Sequence, residues 1–132
     1  GVVNSTAKSV SLVDKNDIQL GNTRATGDLN VTAKNGSISD SIAGNGAQVS
    51  GVTSLISEIV DFLGLGEQTD KGDIVLDNVL NDFQSTVNTQ GEDVLLVDVN
   101  SIELGTSTAQ GELTVRALNG EITDSGTATV DG

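Results

Sequence analysis

Val10-Ser-Leu-Val-Asp-Lys-Asn-Asp-Ile-Gln-Leu-Gly21 returns further along the chain as Val94-Leu-Leu-Val-Asp-Val-Asn-Ser-Ile-Glu-Leu-Gly105. The match runs on at the same offset without a gap. Gly27-Asp-Leu-Asn-Val-Thr-Ala-Lys-Asn-Gly36 faces Gly111-Glu-Leu-Thr-Val-Arg-Ala-Leu-Asn-Gly120, and Ile38-Ser-Asp-Ser41 faces Ile122-Thr-Asp-Ser125. From Val10 to Ser41, 18 of 32 positions are identical. The chain is therefore built on an internal duplication. Apolar residues recur at alternate positions in both copies, as in Val10/Leu12, Ile18/Leu20 and Leu29/Val31/Ala33. That period of two marks short strands with one buried face. Asn-Gly, Gly-Asp and Asp-Ser pairs between them punctuate turns.

A shorter period lies inside the long one. Val10, Leu29 and Val49 form one evenly spaced apolar series, and Ile74, Val94 and Leu113 form its counterpart in the second half. Ile18 and Ile38 begin a second series, as do Phe83, Ile102 and Ile122. Both series advance by the same short step, one coil at a time, which is the signature of a β-solenoid. No coil can bury its inner face alone, but coils stacked ~4.8 Å apart make a continuous core. The expected fold is all-β, a β-solenoid of about six coils, roughly 29 Å long at that spacing. Leu12, Ile18, Leu29, Ile38, Ile74, Val94, Ile102, Leu113 and Ile122 are the expected core. The chain has no Pro, which suits coils that must all donate amides to their neighbours.

Composition narrows the chemistry. The 132 residues carry 6 Lys and Arg against 19 Asp and Glu, a net charge of −13, with no Cys, His, Met, Trp or Tyr. Zinc, thiol and haem sites lack their ligands. Ser-His-Asp and Cys-His nucleophile systems lack their base. So few cations make nucleic acid a poor partner. No apolar run is long enough to span a membrane. The lack of cysteine fits either a reducing cytosol or a bacterial surface protein, and the acidic balance, which keeps a large exposed surface soluble, suits the second better.

The run Gly72-Asp-Ile-Val-Leu-Asp-Asn-Val-Leu-Asn-Asp-Phe83 is followed from Val94 to Ser125 by Ile-x-Leu-Gly, Gly-x-Leu-x-Val-x-Ala and Gly-x-Ile-x-Asp steps. In this order they resemble filamentous-haemagglutinin-type repeats, found in very large secreted bacterial adhesins and exoproteins. The resemblance covers residues 2–50 and 72–132. The resemblance implies a right-handed parallel β-helix (β-solenoid) on the cell surface or released from it, with no shared catalytic residues to carry over.

Residues 51–71 depart from that pattern. Val52, Leu55, Ile56, Ile59, Val60 and Leu63 follow i, i+3, i+4, i+7, i+8 and i+11, one face of an α-helix. Thr53 or Ser54 can cap it and Gly64 can end it. The spacing predicts one short helix over residues 53–63. The chain then divides into a solenoid block at 1–51, a helical insertion at 52–71 and a second block at 72–132, all one continuous domain.

Candidate sites are few. Asp14 with Asn16, and Asp98 with Asn100, place hard oxygen donors at alternate positions, a weak Ca²⁺ pattern that also reads as an Asx turn at a coil corner. Asp70, Asp73, Asp77 and Asp82 form the densest acidic stretch and read as a solvated face. Arg24 and Arg116 occupy non-equivalent repeat positions, which argues against a groove that cleaves acidic polysaccharides and for no enzymatic activity. No cofactor is expected. Val2, Val3, Phe62 and Val130 are candidate subunit contacts. Val2, Val3 and Val130 lie near open coil ends that would otherwise need capping, and Phe62 lies off the apolar stripe of the expected helix, placed to widen that face or make an outside contact. Partners expected are neighbouring repeats of the same parent chain or a second copy joined head-to-tail as a filament, together with a host glycan or protein. The expected role is a structural module of an extracellular bacterial adhesin or fibre. The competing readings are a Ca²⁺-dependent β-sandwich module and a polysaccharide-binding or polysaccharide-cleaving β-helix.

Overall fold

The computed structural model describes residues 1–59 and 70–131. They form fifteen strands: β1 (Val2–Ala7), β2 (Val10–Asp14), β3 (Ile18–Ala25), β4 (Leu29–Ala33), β5 (Ile38–Asp40), β6 (Ala47–Val49), β7 (Thr53–Ser57), β8 (Ile74–Leu76), β9 (Asp82–Phe83), β10 (Thr86–Gly91), β11 (Val94–Asp98), β12 (Ile102–Ala109), β13 (Leu113–Ala117), β14 (Ile122–Asp124) and β15 (Ala128–Val130). Two sheets hold them. The eight-stranded sheet runs β13-β11-β8-β5-β3-β6-β9, with β1 also on β3. The seven-stranded sheet runs β14-β12-β10-β7-β4-β2, with β15 also on β12. Every pairing between named strands is parallel. A β-sandwich of antiparallel sheets would not give this pattern.

Each sheet has six levels, so the chain makes six coils of a parallel β-solenoid. Strands this short cannot hold their place alone, and pairing on both edges supplies what length does not. The inward residues of both sheets meet in one aliphatic core that includes Leu20, Leu29, Ile38, Leu55, Ile74, Val87, Leu96 and Ile102. Phe83 is the largest side chain in it. Of the nine residues expected in the core, Ile18, Leu29, Ile38, Ile74, Val94 and Ile102 are buried, while Leu12 and Leu113 pack against the core half-buried. Ile122 is 51% exposed, because its coil is the last and nothing covers it.

The register corrects two of the expected columns. Val10 stacks on Leu29 as expected, but Leu29 stacks on Thr53. Val49 lies instead between Ala25 and Phe83. Ile102 stacks on Ile122, whereas Phe83 pairs only with β6. The cause is the turn between β5 and β6, which includes Gly44 and Gly46. Both glycines have positive φ, +97° and +69°, a conformation that costs a side-chain-bearing residue energy. The turn splits one side of the coil into two short strands and moves Val49 out of the β2–β4 column.

The inserted α-helix is also corrected. No helix occurs among the described residues, and residues 60–63 of the expected helix lie outside them. Thr53–Ser57 is a strand with Thr53, Leu55 and Ser57 buried and Ser54 and Ile56 half-buried, a period of two. It pairs with β4 on one edge and β10 on the other. A helix there would remove one strand from the middle of the stack and leave two ladders of backbone groups unpaired. Just beyond β7, Ile59 still bridges Asn35, and its N–H donates to the Asp70 carbonyl.

Equivalent strands of the two copies lie in opposite sheets. The pair β2–β4 has the same register as β11–β13, with Val10↔Leu29 against Val94↔Leu113, yet the first is in the seven-stranded sheet and the second in the eight-stranded one. The pair β3–β5 matches β12–β14 with the sheets reversed. The reason is parity. Between β1 and its equivalent β10 the chain makes seven passes, namely β1, β2, β3, β4, β5 with β6, β7, and β8 with β9. An odd number of passes returns the pattern on the other face.

Strand and helix make different demands on neighbouring residues. Leu55→Ala should cost about 2–5 kcal/mol by opening a cavity. Ile56→Ala, on the outward face of β7, should cost clearly less. Chemical denaturation of both variants checks this. Equal losses would restore the helical stripe.

Candidate functional site

The coil interface carries the polar chemistry of this molecule. Ile38 points inward, so alternation turns Asp40 inward too, and Asp40 is only 6% exposed. A buried carboxylate needs donors, and the next coil brings them. The N–H of Asp77 donates to Asp40 Oδ1 at 3.0 Å, the N–H of Asn78 lies 3.3 Å from both oxygens, and Asn81 Nδ2 donates to Oδ2 at 2.6 Å. Asn81 uses its other end as well: Oδ1 accepts the Ala47 N–H at 2.7 Å. Asn78 ties the turn down, donating from Nδ2 to the Ser41 carbonyl and accepting the Leu80 N–H. The positive φ of Gly46 belongs here, since a Cβ on it would lie 2.6 Å from Asn81 Oδ1.

A second buried carboxylate works in the same way. Asp98 is fully buried. It accepts the Phe83 N–H on Oδ2 at 2.7 Å and the Asn100 N–H on Oδ1 at 2.7 Å. Burial, above all, pushes both carboxyl groups up from the ordinary aspartate value. Asp40 is pulled part of the way back by Asn81 and the Asn78 and Asp77 amides, and Asp98 by the Phe83 and Asn100 amides.

Along one corner a running ladder links the coils. Asp17 accepts the Ser37 N–H, Ser37 Oγ the Asp73 N–H, Asp73 the Asp93 N–H and Asp93 the Glu112 N–H. Each side chain catches an amide of the coil above. At the register shift between β1 and β3 Asn4 accepts the Asn22 N–H, and in the opposite sheet its equivalent Asn88, at the shift between β10 and β12, accepts the Thr106 N–H. Gly21 and Gly105 precede those amides, and a Cβ at either would collide with the asparagine oxygen.

The residues singled out in the sequence are placed as follows. Asp14 and Asp98 each close an Asx turn onto Asn16 and Asn100. The two pairs stand at the ends of β2 and β11, in different sheets, and are not brought together. Among the described residues no group of three or more Asp or Glu converges as a metal site would require. Asp73 lies in the corner ladder, and Asp77 contributes its backbone to the Asp40 network. Val2 and Val3 are on β1 at one end of the stack and Val130 is on β15 at the other. Phe62 lies outside the described residues. Sequence reasoning missed Asp40, Asn78 and Asn81. The inward phase of Ile38-Ser-Asp40, repeated in Ile122-Thr-Asp124, was the available signal.

A family described as "Repeats of unknown function (DUF5649)" matches residues 7–90 and again 91–132. The chain belongs to this family. The starts of the two matches, at 7 and 91, are set apart by the same offset as Val10 and Val94 in the duplication. No curated protein and no solved structure matches the chain. In the DUF5649 unit, therefore, Asp40, Asn78 and Asn81 join coils of a β-solenoid repeat, and Asp98 joins the end of one unit to the start of the next.

Amide polarity makes the network testable. Asp40→Asn keeps an oxygen for Asp77 and Asn78 but sets an NH₂ group against Asn81 Nδ2. A flip of Asn81 would then abandon the Ala47 amide. The expected loss is about 1–3 kcal/mol. Adding Asn81→Asp supplies an acceptor to both the new amide and the Ala47 N–H, so the double variant should recover most of it in urea titrations.

The raised carboxyl groups also set a pH dependence. With the native value above the unfolded one, the folded chain holds extra protons in the window between them. Stability should fall as pH rises through that window and level off above it, once both states are ionised. Melting at a series of pH values upward from the ordinary aspartate value of 3.8 should show this slope, and Asp98→Asn should flatten it.

Proposed function

We propose that the chain is a structural repeat module of an extracellular bacterial adhesin or surface fibre, a stiff spacer whose neighbours are further repeats of the same kind. One observation carries this reading. The core is continuous through all six coils, and the family match recurs within the chain at the offset of the duplication, so one unit stacks directly on the next. Coils that pair through both edges take further coils as their natural neighbours. The buried carboxylates serve that stacking, since their lone pairs are taken up by backbone amides of adjacent coils. The resemblance to filamentous-haemagglutinin-type repeats and the acidic, cysteine-free composition support placement outside the cell.

An antibody raised against the folded chain tests the placement. It should label intact cells of the source bacterium or recover the parent protein from the medium. Labelling only after lysis would overturn an extracellular role.

A further inference from the structure

We infer that the outer face of β3 carries a binding site for a single sugar acid, with Arg24 as the group that takes its carboxylate. This site is independent of the spacer role proposed above.

The site is a shallow hollow of about 170 Å³ lined by Thr6, Asn22, Arg24, Asn45, Gly46 and Gln48. Register builds it. Thr6 of β1, Arg24 of β3 and Gln48 of β6 stand in one row on neighbouring levels, and alternation turns all three outward, where they are exposed. The turn between β5 and β6 supplies the rest. Its Asn45 N–H donates to Asn22 Oδ1 at 2.8 Å. Gly44 leaves room for that oxygen, since a Cβ there would collide with it. The oxygen end of Asn22 is thus occupied, and its NH₂ group remains as a donor.

Charge and hydrogen bonding select the ligand. Among the described residues Arg24 has no carboxylate partner, and no acidic side chain lines the hollow. Asp82 stands in the same row two levels beyond Arg24, ~9.6 Å away at the usual spacing, and it accepts a hydrogen bond from Gln84. A guanidinium holds a carboxylate through two parallel hydrogen bonds. An exposed ion pair alone contributes little in water, so a bare carboxylate would be held weakly. The side-chain amides of Asn22, Asn45 and Gln48 and the Thr6 hydroxyl suit a ligand that carries hydroxyl groups around its carboxylate, as a uronic acid does. The hollow is smaller than the about 300–1,000 Å³ of sites for larger ligands, which limits it to one ring. A polyanion would bring further charges against a chain of net charge −13. The ligand is therefore an isolated acidic sugar on an otherwise neutral glycan.

The other copy of the repeat supplies a control. In the equivalent row of the opposite sheet stand Gln90, Thr108 and Thr129, so a threonine replaces the arginine. The same register forms with either residue, and Arg24 is not needed for stacking.

The test titrates the full chain with sodium glucuronate and follows the amide signals of Asn22, Asn45 and Gln48 by NMR. Binding with a Kd on the order of 1 mM is expected, weakening as sodium chloride is added. Arg24→Thr should weaken it about tenfold or more with the melting temperature unchanged. Arg24→Lys, which keeps the charge but loses the fork, should fall between. Glucose and sodium acetate should each bind more weakly than glucuronate. Equal binding of acetate, or of a neutral peptide carrying one glutamate, would overturn the sugar-acid assignment. Unmoved signals with glucuronate, or shifts that survive Arg24→Thr, would overturn the site itself.

Discussion

A strand of three to five residues has too few contacts to stay extended by itself, and ten of the fifteen strands here are of that length. Parallel pairing at ~4.8 Å on both edges is what the remaining features depend on. Pairing fixes which residues face inward, as in β7, where Thr53, Leu55 and Ser57 lie between β4 and β10. It brings corner side chains within reach of amides one coil on, from Asp17 up to Glu112. It also places Asp40 under the Asn78–Asn81 turn. Aliphatic side chains then suffice for a core that is narrow and repeated level by level.

Buried aspartates in an otherwise aliphatic interior carry a cost that their partners must offset. Desolvation is the leading influence on both Asp40 and Asp98. Their value lies in register. An apolar row tolerates a slip by one residue poorly, but a carboxylate whose oxygens meet amides 37 to 41 positions away tolerates it even less. Ser57 Oγ also ties coils together by donating to the Gly36 carbonyl, but other hydroxyl groups inside the core do not share this role. Thr53 Oγ1 and Thr89 Oγ1 are buried without a hydrogen-bond partner and act as fillers of valine size.

Legibility follows coil length. Where coils keep the short regular step the columns are readable, as with Ile74, Val94 and Leu113 or Ile18 and Ile38. Where the β5–β6 turn lengthens a coil, even spacing puts Val49 in the wrong column. At residues 53–59, Leu55, Ile56 and Ile59 satisfy the helical spacing while Thr53, Leu55 and Ser57 satisfy the strand period, and only the open edges of β4 and β10 decide between them. Asp40 is readable from alternation, but Asn78 and Asn81 are not. Nothing local marks a side chain whose partner lies a whole widened coil away.

The half-turn between equivalent strands has a geometric consequence for arrays of this unit. Seven passes amount to three and a half coils, an axial rise of ~17 Å at the usual spacing. Tandem units are thus related by an approximate two-fold screw along the rod. The turn between β5 and β6, which sits in the eight-stranded sheet here, would fall on the opposite flank in the next unit. Features on the same flank would recur only every second unit, ~34 Å apart. A rod built in this way is ambidextrous: it repeats each surface feature on two opposite sides, and neighbouring features do not crowd one another.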